Sequence, residues 1–473
     1  LLPGNAPIPA GNFQLGDLGY AEREYLVTGT ATSFAIEGER TRDGRWTARP
    51  DTEAAYTTRI VVRAPTEAER FSGVVAVEWN NVSGGIDIGP DWMLLHRGLM
   101  DRGHAWVGVT AQKAGIDGGG IVEGLHLRVL DAARYADLDH PGDSWAYDIY
   151  SQVGEMLKSQ VGEMLKKPDS PLAPLEPAHL IAVGESQSAA FLVTYINSID
   201  PLAQVYDGFF VHGRPGMGAA MDGFARARSA DLEALPAVLY ESPERIRDDA
   251  RVPVLVLQSE TDVVSLGGGL PEQPDGPNLR LWELAGAAHA DTYMLVAAFY
   301  DDGTLTPEDL ATKLQPTTQV AMGTTATPVN SGPQQHYVGM AAFEHLARWV
   351  ADGTPPPAAP RLKTTSNGGG QALEISELGL AEGGIRTPWV EAPLSRLSGL
   401  GQEGDTFAFL FGRTEPLATD DLRRLYPGGK SDYLRRFEAA LDLAIESGWI
   451  RATDRPEIVA VAGASYDLQV NPG

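Results

Sequence analysis

The sequence predicts an α/β fold: a mostly parallel central sheet flanked by helices. Three observations predict it. Buried-type strands alternate with a helix, Val74 to Trp79 (VVAVEW), then helical spacing through Trp92, Leu95, Leu99 and Met100, then Ala105 to Thr110 (AWVGVT). Leu180 to Asn197 (LIAVGESQSAAFLVTYIN) runs from an apolar strand through a tight turn at 184–188 into an apolar helical pattern. Two further apolar runs, RVPVLVL (251–257) and LRLWEL (279–284), each end in a short polar or small-residue loop.

The chain length of 473 residues accommodates one large domain with elaborations, or two domains. With 37 Lys and Arg against 63 Asp and Glu, the formal charge is −26. Such a surface repels phosphate backbones and anionic lipid, which excludes nucleic acid as a partner and favours a small, neutral or cationic substrate. The absence of cysteine excludes disulfides, thiolate nucleophiles and Cys-ligated metals. No apolar run is long enough for a membrane span. The chain begins at Leu1 and not at Met, which favours a secreted or periplasmic protein that has lost a leader.

Taken in order, residues 1–57 hold a Pro/Gly-rich lead-in and the strand-like run Glu24 to Ile36, followed by a second strand, Thr58 to Ala64. A helix from Pro90 to Arg102 is stopped by Gly103. Residues 111–143 form a Gly-rich connection without phosphate-loop spacing, and Gly429-Lys430-Ser431 lacks the upstream glycine such a loop needs. Asp143 or Ser144 caps a helix continuing through Val153, Leu157, Val161 and Leu165, within which SQVGEMLK (151–158) is repeated at 159–166. Eight residues are close to two turns, so the copy lengthens one helix and rotates its apolar face by roughly 80°. Val205 to Val211 is the next strand, and insertions at 213–250 and 291–335 interrupt the alternation. A helix spans Tyr337 to Val350. Beyond Asp352 lies a Gly/Pro-rich meander with one amphipathic helix, Tyr433 to Ile445.

Chemistry enters at the strand ends. Gly184-Glu185-Ser186-Gln187-Ser188 has the form Gly-x-Ser-x-small, a strand-to-helix elbow that lifts a serine hydroxyl clear of the sheet, although Ser188 stands where the usual pattern has Gly. Alone, the turn reads equally well as a junction with a capping serine. A serine needs a base, and that base needs a carboxylate to hold its tautomer. Asp262 follows the strand ending at Leu257, and His289 follows the strand ending at Leu284, so Ser186, Asp262 and His289 occur in the order serine, acid, histidine. Glu260, two residues from Asp262, is the competing acid. The oxyanion would be held by the N–H of Gln187 and by that of Asn80 or Asn81, in the small-residue loop after Trp79. Asn81-Val82-Ser83 also spells a glycosylation sequon. His212 and His336, at element ends, are expected near the pocket; Trp389 and Arg386 are candidates for its mouth, but packing and salt-bridging are the favoured roles for both.

With these residues assembled, the sequence resembles the α/β-hydrolase superfamily, and more narrowly a bacterial group of uncharacterised alpha/beta hydrolase domain proteins. The phrases that carry the resemblance are YTTRIVVRAP (56–65), FSGVVAVEWNNVSGG (71–85), AWVGVTAQ (105–112), HPGDSWAYDIYSQVG (140–154), GESQSA (184–189), VNSGPQQHYV (329–338) and GGIRTPWVEAP (383–393). The resemblance implies an α/β-hydrolase fold and cofactor-free serine ester hydrolysis. The expected plan is an N-terminal extension over 1–57, a hydrolase core over 58–352 with lid insertions at 213–250 and 291–335, and a C-terminal extension over 353–473 packing on the core. Alternatives are an acyltransferase using the same triad, and a non-catalytic binding protein on a hydrolase scaffold. An intact triad speaks against the latter, and Ser186 at the elbow denies the carboxylate that dehalogenases and epoxide hydrolases need there.

Overall fold

The computed structural model describes residues 1–4, 6–8, 10–119, 124–159, 170–223, 242–320, 323–366, 370–404 and 407–470. Its frame is an eight-stranded sheet in the order β1-β2-β4-β3-β5-β6-β7-β8. β1 (Tyr20–Ile36) and β2 (Ala48–Pro65) make a long antiparallel hairpin. β3 (Val74–Trp79), β4 (Ala105–Val109), β5 (His179–Glu185), β6 (Gly208–His212), β7 (Val254–Gln258) and β8 (Leu279–Glu283) run parallel. β2 joins the parallel set antiparallel to β4. The family resemblance and the strand-helix alternation therefore lead to the architecture expected.

The parallel strands are nearly continuous runs of buried apolar residues, as strands covered on both faces require. One face is covered by α1 (Pro90–Asp101) and α6 (Gln334–Asp352), whose Trp92, Leu95, Leu99, Val338 and Phe343 join Phe210, Leu255 and Leu257 in one cluster. The other is covered by α2 (Ala146–Ser159) and α3 (Gln187–Thr194), through Tyr150, Val153, Leu157, Phe191 and Leu192. α1 starts with Pro90, and the Glu78 carboxylate accepts the N–H groups of Asp91 (2.8 Å) and Trp92 (3.0 Å), which tethers the helix start to β3.

The hairpin is much longer than the apolar runs indicate. Only its inner half, Ile60 to Arg63, pairs with β4; the outer half of β2 is largely exposed and pairs only with β1, so its polar sequence gives little strand signal. Residue 57 lies inside β2. The second copy of SQVGEMLK falls almost entirely at 160–166, outside the described residues, as does 224–241 of the first insertion.

The C-terminal region departs from the expectation of one helix. Besides α7 (Lys430–Glu446) there is α8 (Arg455–Val470), of 16 residues. Ala460, Gly463 and Ala464 put small apolar residues on the side opposite Ile458, Val461 and Ala462, so the amphipathic contrast is weak and the periodicity does not announce it. α8 packs on α5 (Pro307–Lys313), and Phe437, Leu441, Ile458 and Val461 share the cluster that contains Trp92 and Phe210. Among the described residues no helix is long and apolar enough to cross a membrane.

Strand order reverses at β3, which lies between β4 and β5. In open parallel sheets, crevices form outside the carboxyl ends of strands at such a reversal. β5, β7 and β8 deliver their loops to that edge.

Candidate active site

β5 turns into α3 through Ser186, whose φ of 60° and ψ of −118° put a non-glycine residue in strained backbone. The strain is held from both sides: Ser186 N–H donates to His212 O (2.9 Å), and Ser186 O accepts from Ala190 N–H (3.2 Å). Gly184 permits the turn, because a Cβ there would lie 3.1 Å from the backbone carbonyl of Ser188. Ser188 is accommodated with its side chain fully buried, and its Oγ finds no hydrogen-bond partner among the described residues.

His289 reaches this serine from the loop after β8. Its Nε2 is 2.8 Å from Ser186 Oγ and its Nδ1 is 2.6 Å from Asp262 Oδ1. Asp262 stands at the third position of the short helix α4 (Glu260–Val264), and its Oδ2 accepts the N–H of Ser259 (2.6 Å) while Ser259 Oγ accepts the N–H of Asp262 (3.3 Å). This reciprocal capping box turns the Asp262 side chain back toward the end of β7. The Ser-x-x-Asp spacing, legible in the sequence, is the signal that separates Asp262 from Glu260. Glu260 points elsewhere: its carboxylate accepts from Gly286 N–H (2.5 Å), Gly399 N–H (2.8 Å) and Ser398 Oγ (3.3 Å), and ties α4 to the C-terminal region. Burial pushes its pKa up to about 7, against the pull of those donors.

The loop after β3 differs from the expectation in one respect. Asn80 N–H donates to Val109 O (3.1 Å) and Asn81 N–H to Ile88 O (2.7 Å), so both are engaged in main-chain bonds. The next N–H, that of Val82, faces the elbow and meets Gln187 Oε1 at 3.5 Å. Gln187 opens α3, where an N–H has no acceptor within the helix. The Asn81 side chain is buried and donates to Glu185 O (3.1 Å) and Glu185 Oε2 (3.3 Å), a placement that hides the sequon nitrogen.

The model of the family described as alpha/beta hydrolase domain matches residues 3–460. The chain belongs to that family. Solved structures similar to this α/β-hydrolase include an esterase from Rhizomucor miehei (10% identity, 57% of this chain and 78% of that one, TM-score 0.27). Others are a thermostable esterase from Pseudomonas putida (11%, 58% and 75%, TM-score 0.28) and a cold-adapted esterase from an Arctic intertidal metagenomic library (13%, 56% and 85%, TM-score 0.29). No curated protein matches the chain.

The hydrolase carries further buried polar groups behind the elbow, among them Glu185, which sequence reasoning did not single out. Glu185 Oε1 lies 3.0 Å from His289 Nε2. His212, expected near the pocket, is buried: its Nδ1 is 2.8 Å from Asp91 Oδ1 and its Nε2 3.1 Å from Gln335 Oε1. Gln335 Nε2 in turn donates to the carbonyls of Ala288 and of His289 (3.3 Å). Burial opposes charge on both histidines; Asp91 outweighs it for His212, raised to about 9, and the Glu185 and Asp262 carboxylates outweigh it for His289, also raised. His336 stays neutral instead, driven well down by burial, with Nδ1 2.6 Å from Leu94 O and its ring stacked on Tyr293. Trp389 stacks on Tyr337 and lines a cleft of about 590 Å³ between residues 314–316 and the C-terminal helices, whose lining includes none of Ser186, Asp262 and His289. Arg386 pairs with Glu391 and donates to Ala381 O, so both residues are structural. Among the described residues no group of three or more His, Cys, Asp or Glu is placed to hold a metal ion.

Proposed function

We propose that this α/β-hydrolase cleaves carboxylic esters through an acyl-enzyme on Ser186. The observation that carries the reading is the unbroken line Ser186 Oγ, His289 Nε2 (2.8 Å), His289 Nδ1, Asp262 Oδ1 (2.6 Å). Along it the Oγ–H proton passes to Nε2 while Oγ bonds the ester carbonyl carbon, whose π electrons move onto oxygen. Asp262 holds the Nδ1–H tautomer and offsets the imidazolium charge. When the tetrahedral intermediate collapses, the C–O bond to the alcohol breaks and the Nε2 proton leaves on that alcohol. Water then repeats the sequence on the acyl group and restores Ser186.

For the oxyanion, the N–H groups of Gln187 and Val82 suit the role better than those of Asn80 and Asn81, which are already bonded. The Gln187 carboxamide, which accepts from Val82 N–H at rest, has to swing aside as the oxyanion forms. The formal charge of −26 favours neutral or cationic esters.

The test is hydrolysis of p-nitrophenyl esters, from acetate through decanoate, by wild type and Ser186→Ala, with fluorophosphonate labelling and mass mapping. Turnover and labelling present in the wild type and absent in the variant support the reading. A wild type that neither turns over any ester nor labels sinks it.

A further inference from the structure

We propose that Glu185 is a further catalytic residue, a second carboxylate that stabilises the His289 imidazolium from its Nε2 side. The proposal rests on the ester-hydrolase reading and extends it. The starting point is geometric. His289 Nε2, the atom that takes the serine proton, has two acceptors within hydrogen-bond reach: Ser186 Oγ at 2.8 Å and Glu185 Oε1 at 3.0 Å. Asp262 occupies the opposite edge of the ring, on Nδ1. Once protonated, the imidazole therefore lies between two carboxylates.

The carboxylate is held there. Asn81 Nδ2 donates to Glu185 Oε2 (3.3 Å) and also to the Glu185 carbonyl (3.1 Å), fixing side chain and backbone together from the loop after β3. Gly213 leaves room for the pair: its φ is +60°, and a Cβ there would stand 3.1 Å from His289 Cε1, 3.2 Å from Nδ1 and 3.5 Å from Glu185 Oε1.

A second histidine supplies the countercharge. Gln335 Nε2 serves two carbonyls, which require a donor, so the oxygen Oε1 is the atom facing His212 Nε2. An oxygen accepts, so His212 donates at Nε2. The Asp91 carboxylate accepts at Nδ1 (2.8 Å), so both ring nitrogens carry protons. The charged groups facing Glu185 are then His212 and His289 as cations, with Asp91 and Asp262 as anions. Burial raises Glu185 to about 7 against the pull of the two histidines, so its carboxylate is charged above that pH. Along the site the signs alternate: Asp91 negative, His212 positive, Glu185 negative, His289 positive when protonated, Asp262 negative.

During the reaction the proton travels from Ser186 Oγ to His289 Nε2 and then to the leaving alcohol oxygen. Glu185 faces the Nε2–H in between and ends in the state it began, so no proton is gained or lost. The benefit lies in the charge-separated intermediate, where buried opposite charges interact most strongly.

Glu185→Gln removes the charge at nearly constant shape. A carboxylate acting through the imidazolium has to change two quantities by one factor: the acid limb of kcat/KM moves down by about one pH unit, and the alkaline plateau falls about tenfold. A merely structural role lowers the plateau and leaves the limb in place. Histidine ¹⁵N NMR titration follows His289 without reference to turnover. The expected results are a wild-type His289 that titrates above the ordinary histidine value of 6.5 and drops toward it in Glu185→Gln. An unmoved limb and an unmoved His289 titration overturn the proposal. So does a wild-type His289 titrating at or below 6.5, a measurement that stands even where the variant fails to fold. A wild type inactive on every ester, with the NMR shift present, overturns the ester-hydrolase reading and leaves the electrostatic role of Glu185 standing.

Discussion

Replacing Asp262 by Asn separates the proposed triad acid from its neighbour Glu260 with a predictable outcome. In the protein Asp262 Oδ2 accepts the Ser259 N–H at 2.6 Å while Oδ1 meets His289 Nδ1 at 2.6 Å. An amide has one oxygen and one NH₂ for those two places. Ser259 N–H requires the oxygen, so the NH₂ faces His289 and forces Nδ1 to accept. The imidazole proton then sits on Nε2, where Glu185 Oε1 at 3.0 Å also favours it, and the base cannot take the serine proton. Serine hydrolases with the wrong histidine tautomer lose about 10⁴-fold in kcat, about 5 kcal/mol of barrier, and we expect that magnitude in kcat for Asp262→Asn with little change in KM. Glu260→Gln forces a donor against the Gly286 or Gly399 N–H, which costs about 1–3 kcal/mol of stability but leaves kcat within about tenfold of wild type. Steady-state hydrolysis of p-nitrophenyl butyrate, with calorimetric melting of each variant, measures both. An Asp262→Asn enzyme within tenfold of wild type, or a folded Glu260→Gln enzyme as dead as Ser186→Ala, refutes the assignment.

Other consequences are independent of that one. Ser188→Ala removes a buried hydroxyl that finds no partner among the described residues, and the melting temperature should rise, by an amount corresponding to about 1 kcal/mol. Gly184→Ala puts a Cβ 3.0 Å from Leu192 Cδ1 and 3.1 Å from the Ser188 backbone, which cannot retreat, so stability falls by about 1–3 kcal/mol and fluorophosphonate labelling slows; unchanged melting and labelling would show that the elbow tolerates a side chain there. The His212 pKa is raised from 6.5 to about 9, so its contribution to stability is complete below 6.5 and is lost as pH rises through about 9. Urea midpoints should therefore decline between pH 7 and pH 9.5, less steeply in His212→Gln, and equal slopes in the two proteins would disprove the linkage.

Much of this arrangement is legible in the sequence because strands buried on both faces write themselves as apolar runs. Val74 to Trp79 coincides with β3, and the ends of β5, β7 and β8 are placed closely enough to put Ser186, Asp262 and His289 on one edge in chain order. The outer hairpin is poorly legible because the outer half of β2 is largely exposed, and a polar surface gives no apolar period to read. α8 is missed for another reason: the small apolar residues Ala460, Gly463 and Ala464 lie opposite Ile458, Val461 and Ala462 and blur its amphipathic contrast. At the site, the loop after β3 is located but its free N–H is not. Strand-end counting locates a loop but not the direction of each N–H, which the isolated bridge between Asn81 and Ile88 decides.

Glu185 and the charge of His212 escape sequence reading for a deeper reason, since their significance is relational. The position before an elbow serine is unconstrained in the motif, and a histidine at a strand end is commonplace. What distinguishes the two buried histidines is how many acceptors compete for each nitrogen. His212 has one acceptor for each of its protons, Asp91 and Gln335, so its protonated form is favoured. His289 has Asp262 on one nitrogen and two partners on the other, one of which, Ser186 Oγ, is in the proposed mechanism itself the source of the proton. The same ring chemistry is thus biased toward a cation through neutral pH in one place and, in the proposed mechanism, toward a reversibly protonated base 77 residues later, and the difference lies in whether the partner at Nε2 can give a proton back.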